Sequence, residues 1–276
     1  MKHAFLILSL LSFTALGQAD FEKNLQKRLI LAEDGATIEI EAGRFQLTKS
    51  LSLEGKKNIT LRGKGIDQTI LSFKGQTQGA EGIKVSNCEN IVIENMTKED
   101  SKGDLIKTMN VKGITFRKIK AAWTGKPKAT NGSYALYPVL CENVLIDSCI
   151  AIGASDAGIY VGQSKHIIVR NSEAYQNVAG IEIENSLYAD VYNNKAIGNT
   201  GGILVFDLPD LVQKKGGHVR VHHNLVKENN LANFAPKGNI VGNVPKGTGM
   251  MVLATSNVEF FENQIINHRS EEHTSE

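Results

Sequence analysis

Gly158-Ile159-Tyr160-Val161, Gly180-Ile181-Glu182-Ile183 and Gly202-Ile203-Leu204-Val205 repeat one pattern, Gly-Ile-x-Val/Ile, with equivalent residues 22 positions apart. A second strand-like motif follows each copy. Its first apolar residue lies eight positions on in six pairs: Ile83 and Ile91, Ile106 and Ile114, Leu136 and Val144, Ile159 and Ile167, Ile181 and Ala189, Met250 and Val258. Self-similarity at a fixed short period, built from alternating strands and turns without a helical signal, predicts a coil whose turns stack on one another. Stacked turns lie about 4.8 Å apart, so residues one period apart become neighbours. The fold expected is therefore all-β, a single-stranded parallel β-helix of about eight turns of 22–23 residues, spanning 35–268.

The second strands include Asn90-Ile91-Val92-Ile93, His166-Ile167-Ile168-Val169 and His218-Val219-Arg220-Val221. Period-two alternation turns their second and fourth residues inward. Asn95, Asn171 and Asn193 fall two residues past the last inward position, where an asparagine ladder between turns is expected. Cys88 and Cys141 share one repeat phase with Ser164 and Ser186, which marks small corner residues. Stacked turns would hold those two cysteines about 9–10 Å apart, beyond disulfide reach. The sequence leaves a Cys141–Cys149 pair open.

The ends read differently. Met1-Lys2-His3 precedes an apolar run from Ala4 to Leu16, and small residues at Ala15, Gly17 and Ala19 offer cleavage sites. Residues 1–19 are expected to be a secretory signal peptide, too short to span a membrane, giving a periplasmic or secreted protein. Phe21, Leu25 and Leu29 fall at helical spacing. They predict an amphipathic helix over 20–34 that caps the open end of the coil. No equivalent cap is readable at the other end. The closing Arg269-Ser270-Glu271-Glu272-His273-Thr274-Ser275-Glu276 resembles translated adapter read-through, so 269–276 is expected to be a non-native or disordered tail of a truncated chain. A formal charge of +2 and 41% hydrophobic residues call for no nucleic-acid partner.

From Ala32 to Ile266 the chain resembles right-handed parallel β-helix proteins of the pectin-lyase-like superfamily. The segments carrying the likeness are Asp156-Ala157-Gly158-Ile159-Tyr160-Val161-Gly162-Gln163-Ser164, Gly180-Ile181-Glu182-Ile183-Glu184-Asn185-Ser186 and Gly202-Ile203-Leu204-Val205-Phe206-Asp207. They are most similar to an exported bacterial group without a settled activity, so the resemblance implies a fold and no catalytic residue. The wider superfamily implies lyases, galacturonan hydrolases, alginate epimerases and periplasmic accessory proteins for copper enzymes. The Asp-Pro-His-Asp epimerase motif is absent from this sequence.

Breaks in spacing point to a site. Ile114 to Leu136 and Val219 to Met250 span 22 and 31 residues, where Ile167 to Ile181 spans 14. Both insertions leave one corner of the coil and are expected to wall a groove for an extended ligand. The first holds Trp123 among Lys118, Lys120, Lys126 and Lys128, and the second holds Lys237. An aromatic ring flanked by ammonium groups suits an acidic sugar chain, unless Trp123 merely anchors its loop to the barrel.

Outward positions of the first strand align Tyr137, Tyr160 and Glu182, with Glu184 about 7 Å from Glu182. Asp156 lies just before, and Asp207 opens a further, smaller insertion. Asp156, Tyr160, Glu182 and Glu184 are the catalytic candidates, and Tyr137, Trp123, Asp207 and Lys237 the substrate-binding ones. Paired carboxyls suit hydrolysis or a calcium ion, though alternation alone would also make such positions polar. His166, Arg170, Asp190, His218 and Arg220 form a second candidate face, carrying the base and cation that β-elimination on a uronate requires. Arg220 facing Asp190 would equally form a cross-rung ion pair. His218 and His222 lie about 13 Å apart, too far to share a metal. No cofactor is identified, and a monomer is expected. The sequence supports an exported protein that binds and modifies an acidic polysaccharide, or a non-catalytic β-helix that binds glycan or assists a redox or metalloenzyme.

Overall fold

The computed structural model describes residues 20–269, so the signal-peptide reading and all but the first residue of the tail lie outside it. Within that span the chain winds as a parallel solenoid with up to three strands per turn, for example Ala157–Gly162, Lys165–Arg170 and Glu173–Tyr175. The first strand of each turn joins an eight-stranded sheet, and the others build a sixteen-stranded sheet.

The apolar residues read from the repeat form continuous inward columns. Ile83, Ile106, Leu136, Ile159, Ile181, Ile203 and Met250 pair in register down the first sheet. Ile91, Ile114, Val144, Ile167, Ala189, Val219 and Val258 do so down the second. A third column is narrower, with Ala121, Ala151, Ala174, Ala196 and then Val226, because the shortest strand meets two corners. These columns make one core running from Leu25 to Val226.

One inward position among the described residues carries a charged side chain. Lys98 pairs in register between Leu71 and Ala121, is wholly buried, and has no hydrogen-bond partner for Nζ, which lies 4.8 Å from the Phe73 ring centre. Burial holds its ammonium form well below the usual lysine range.

The corners explain the recurring polar residues. Asn90, Asn143, His166, Tyr188, His218 and Asn257, each preceding the first inward residue of a second strand, have φ between 53° and 59°. Asn and His tolerate that left-handed region better than most side chains. Asn95, Asn171 and Asn193 are left-handed too, at φ 57°, 52° and 54°. They therefore occupy the bend, and the asparagine ladder stands one residue later. Asn194 Nδ2 donates to Asn224 Oδ1 at 3.0 Å, and Asn224 Nδ2 to Asn263 Oδ1 at 3.0 Å. A second ladder runs from Asn177 to Asn199 to Asn229 at 3.0 and 2.9 Å.

The second ladder accounts for the glycine of Gly-Ile-x-Val/Ile. A Cβ on Gly158 would lie 2.6 Å from Asn177 Nδ2, and one on Gly180 2.9 Å from Asn199 Nδ2. Cys141, Ser164 and Ser186 form a third run: Cys141 N donates to Ser164 Oγ at 3.0 Å and Ser164 N to Ser186 Oγ at 3.1 Å. All three cysteines are free and buried, so Cys141 and Cys149 do not pair.

The cap helix covers 20–31, three residues shorter than its expected end. Leu25 and Leu29 enter the core and Phe21 stacks on Phe45 at 3.7 Å. Its polar side chains pair the exposed edge of the first strand. Glu22 accepts from Thr48 N at 2.6 Å, while Gln26 accepts from Ser52 N at 2.8 Å and donates to Ser52 O at 3.0 Å. Free edge groups that invite association are thereby satisfied. No helix among the described residues is long and apolar enough to cross a membrane.

Candidate active site

The outward face of the eight-stranded sheet is covered where the insertions leave the coil. Leu204, Phe206, Ala157 and Ala179 pack beneath Val241 and Val244, forming a second apolar cluster outside the column. Glu182 and Glu184 therefore face away from the column yet are only 2% and 6% exposed, which removes the reading of them as solvated strand positions. Asp156 is buried beside them.

A cavity of about 420 Å³ opens onto these carboxyls, with Tyr134, Tyr137 and Tyr160 along it. Of the two loops expected from sequence to wall it, only the second does. Gly238 to Val241 of loop 228–247 forms one wall, and Leu208 and Leu211 of the smaller insertion 207–216 form another. Loop 123–133 contributes Ser133 alone. Trp123 is buried in the core and donates Nε1–H to Ser101 O at 2.9 Å, so it anchors its loop and is not a sugar-stacking surface. Lys237 is exposed and outside the cavity lining. Asp207 holds the smaller insertion closed, accepting from Gly216 N at 2.7 Å and Thr255 Oγ1 at 3.0 Å, which makes it a loop clamp and not a ligand-facing group.

The three tyrosines pack on one another, with ring centres 4.4, 4.4 and 4.9 Å apart, and Lys107 Nζ sits 4.8 Å from the centre of the Tyr137 ring. Tyr160 folds across Gly162, where a Cβ would fall 2.0 Å from its hydroxyl oxygen. The missing side chain lets the phenol reach Glu184, which pairs with Gly162 on the next rung. Tyr134 donates to Asp156 Oδ2 at 3.4 Å.

Burial decides the protonation of this group. Desolvation first, then the charge of Glu184, pushes Asp156 up to about 7. Glu182 is raised well above the carboxylate range by burial and then by Asp156 and Glu184, and its Oε2 has no partner. Burial raises Glu184 as well, opposed by hydrogen bonds from Tyr160 and Glu182. Burial also raises the phenols of Tyr134 and Tyr160 and takes Tyr137 to about 12, so all three are donors. Two acids beside a hydrogen-bonded carboxylate are the parts of an acid–base pair. Among the described residues no group of three or more His, Cys, Asp or Glu has metal-binding geometry.

Sequence reasoning missed Tyr134 and the wall made by the smaller insertion 207–216. Tyr134 has the parity of the inward Leu136 but stands at the strand's start, where the chain has just turned. Leu204 and Phe206, apolar residues at outward positions, were a further signal that this face requires a cover.

The second candidate face is self-satisfied. Arg220 Nη2 donates to Asp190 Oδ2 at 2.7 Å, as its register predicts. Arg170 Nη2 donates to Asp147 Oδ2 at 2.9 Å, because Asp147 is its direct partner on the preceding rung. His166, Tyr188 and His218 stack as a ladder with centres 5.3 and 5.1 Å apart. With both arginines held by aspartates, neither is free to neutralise a uronate carboxylate, which leaves the elimination reading without its two arginine cations.

A family model described as right handed beta helix region matches residues 55–205 and 128–271. No curated protein matches by sequence. Among solved structures, the periplasmic alginate epimerase AlgG is 14% identical with a TM-score of 0.53, over 86% of this chain and 53% of that one. This chain thus spans about half the length of that epimerase. An endo-xylogalacturonan hydrolase from Aspergillus tubingensis is 9% identical with a TM-score of 0.58, over 87% and 88% of the two chains. The surface adhesin PfbA of Streptococcus pneumoniae is 10% identical with a TM-score of 0.50, over 90% and 77%. Identities this low show the fold alone. Together with the family match over most of the chain, they show that the protein belongs to the right-handed β-helix family.

Proposed function

We propose that this is an exported, glycan-acting β-helix protein, periplasmic or secreted, whose cleft hydrolyses a glycosidic bond by acid–base catalysis. The observation carrying this reading is the convergence of Asp156, Glu182 and Glu184 with three tyrosines in one walled cavity. Asp156, held near neutrality, serves as general acid, and Glu184, hydrogen-bonded by Tyr160 and Glu182, serves as base or nucleophile. Tyr137 and Tyr160 offer ring edges and hydroxyl donors to the sugar. Polymer-acting β-helices such as the epimerase and the hydrolase above make a glycan a natural class to test.

The expectation of an acidic sugar is revised at this point. No lysine or arginine lines the cavity. A uronate carboxylate would meet carboxyls with no cation in the lining, Lys107 lying over the Tyr137 ring, so the unit read for the reacting position is uncharged even where the polymer carries acid groups elsewhere. Calcium at Glu182 and Glu184 would serve binding instead of acid catalysis, and dependence of turnover on added calcium after chelation would assign that role.

The test is release of reducing ends from a panel of neutral and acidic glycans. Asp156→Asn and Glu184→Gln should each lower turnover by about 10²–10⁴-fold while leaving glycan retention intact. Turnover unchanged in both variants, or an unsaturated ultraviolet-absorbing product, would overturn the hydrolase reading. Retention without turnover in the native chain would favour the non-catalytic binding module.

A further inference from the structure

Outside the cleft, two adjacent histidines are arranged in a way that the hydrogen bonds around them do not complete. His222 Nε2 lies 2.8 Å from Asp190 Oδ1, and His223 Nε2 lies 2.7 Å from Glu262 Oε2. Asp190 also accepts from Arg220 at 2.7 Å, and a carboxylate is acceptor-only. Each carboxylate therefore fixes the Nε2–H tautomer of its imidazole, leaving Nδ1 as a bare lone pair. The two Nδ1 atoms lie 2.8 Å apart, a separation that one shared proton or a cation beside them can bridge. Two lone pairs at that distance repel unless a cation lies between or beside them.

The rings are held in place. His222 is stacked between Tyr192 at 5.3 Å and Phe261 at 4.6 Å, both within 8° of parallel, and His223 stands nearly perpendicular to it at 81°. His223 takes its position from the left-handed corner, φ 55°, that follows the strand Gly217–His222. An imidazole whose remote N–H is bound by a carboxylate is the usual outer-shell arrangement of a metal-ligating histidine. Here it occurs twice within one residue pair.

We propose that His222 and His223 chelate a divalent transition-metal ion of tetragonal geometry through their Nδ1 atoms, copper(II) above others, with the remaining positions taken by water. The separation makes the choice. Ligand nitrogens about 2.0 Å from a metal stand about 2.8 Å apart at a right angle, whereas a tetrahedral zinc ion would set them about 3.3 Å apart. Copper(II) also heads the affinity order for imidazole sites. The site lies at the edge of the second sheet, half-open at His223, whose side chain is 52% exposed, so an external ligand can reach the metal. It uses neither His166 nor His218.

The experiment is titration of untagged, chelator-treated protein with copper(II) chloride alone, carried in a His3→Gln background so that Met1-Lys2-His3 adds no chelate of its own. Binding is read by calorimetry and by electron paramagnetic resonance. One equivalent of copper with a tetragonal spectrum showing coupling to two nitrogens is expected. His223→Gln should weaken binding at least about 10-fold, and Glu262→Gln about 10–100-fold through loss of the outer-shell carboxylate. His223 is exposed, so its variant should melt like the parent and fold is controlled directly. Copper uptake equal in parent and His223→Gln, or a spectrum without nitrogen coupling, would overturn the proposal. So would zinc binding tighter than copper. A proton shared between the two Nδ1 atoms, seen by NMR and undisplaced by copper, would leave a hemiprotonated pair as the correct account.

Discussion

Replacing Lys98 with Met should make the protein more stable, by an amount that depends on pH. The Lys98 side chain points into the core between Leu71 and Ala121 with its Nζ unpaired, and Met has a similar length and no polar atom. A buried donor without a partner costs about 1–3 kcal/mol, and this much should be recovered at any pH. The second contribution comes from protonation. Burial depresses the folded-state pKa of Lys98 well below the usual lysine value of about 10.5, so at lower pH the unfolded chain binds a proton that the folded chain refuses. Stability of the native sequence therefore rises with pH through the window from the folded pKa up to about 10.5, with a slope of about 1.4 kcal/mol per pH unit. The Phe73 ring returns about 0.5–2 kcal/mol to an ammonium ion, less than two pH units of that slope. Lys98→Met lacks the slope, so its advantage should be largest near neutrality and shrink towards pH 10. Urea unfolding of both proteins at pH 7 and pH 9.5 measures this directly. A variant less stable than the parent, or an advantage that does not change with pH, would refute the assignment of Lys98 as an unpaired inward lysine.

Asp156 in the cleft and Asp104, which accepts from the Tyr134 backbone N–H at 3.1 Å, should produce the opposite trend. Asp156, raised to about 7, and Asp104, raised by burial to about 6, bind protons in the fold that the unfolded chain releases from about pH 4 upward. Stability from them is full below pH 4 and lost as pH rises through 6 and 7, so Asp156→Asn should flatten thermal unfolding between pH 5 and pH 8. Gly180→Ala should cost about 1–3 kcal/mol, because its Cβ would fall 2.6 Å from Gly202 O and 2.9 Å from Asn199 Nδ2; an unaltered melting temperature would contradict the ladder's tight fit. Asn199→Leu, which strands the partners of a buried amide that bonds both neighbouring turns, should cost at least about 1–3 kcal/mol in a urea titration. Gly162→Ala should push the Tyr160 phenol off Glu184 and lower turnover with less effect on stability than Gly180→Ala, which paired activity and melting measurements would show.

The inward columns were legible because alternation and period act on every rung alike. Ile159, Ile181 and Ile203 could be stacked before any coordinates existed, and Arg220 facing Asp190 followed from the same count. Asn193 and Asn194 mark where counting stopped working. A left-handed residue at the bend consumes one position, so the ladder moved to the neighbour, and φ is not written in the repeat. Glu182 and Glu184 show the other limit. Their outward direction was readable, but their burial depends on where loop 228–247 folds back, and a loop without a period gives no register. Trp123 failed for the same reason: its lysine neighbours suggested a surface, while its indole fills the core where the insertion begins.

The register of the rungs has a consequence for how such a site changes. Tyr160, Glu182 and Glu184 occupy fixed nodes of a grid, one rung or one alternation apart, set by backbone hydrogen bonds and not by loop conformation. A reacting group can be moved to the next node by exchanging two side chains, with no movement of the main chain. Duplication of a 22-residue turn would lengthen the grid and copy its chemistry together with its spacing. The covering loop then selects which nodes are enclosed, so the same wall of strands can be reassigned to a different ligand by relocating one insertion.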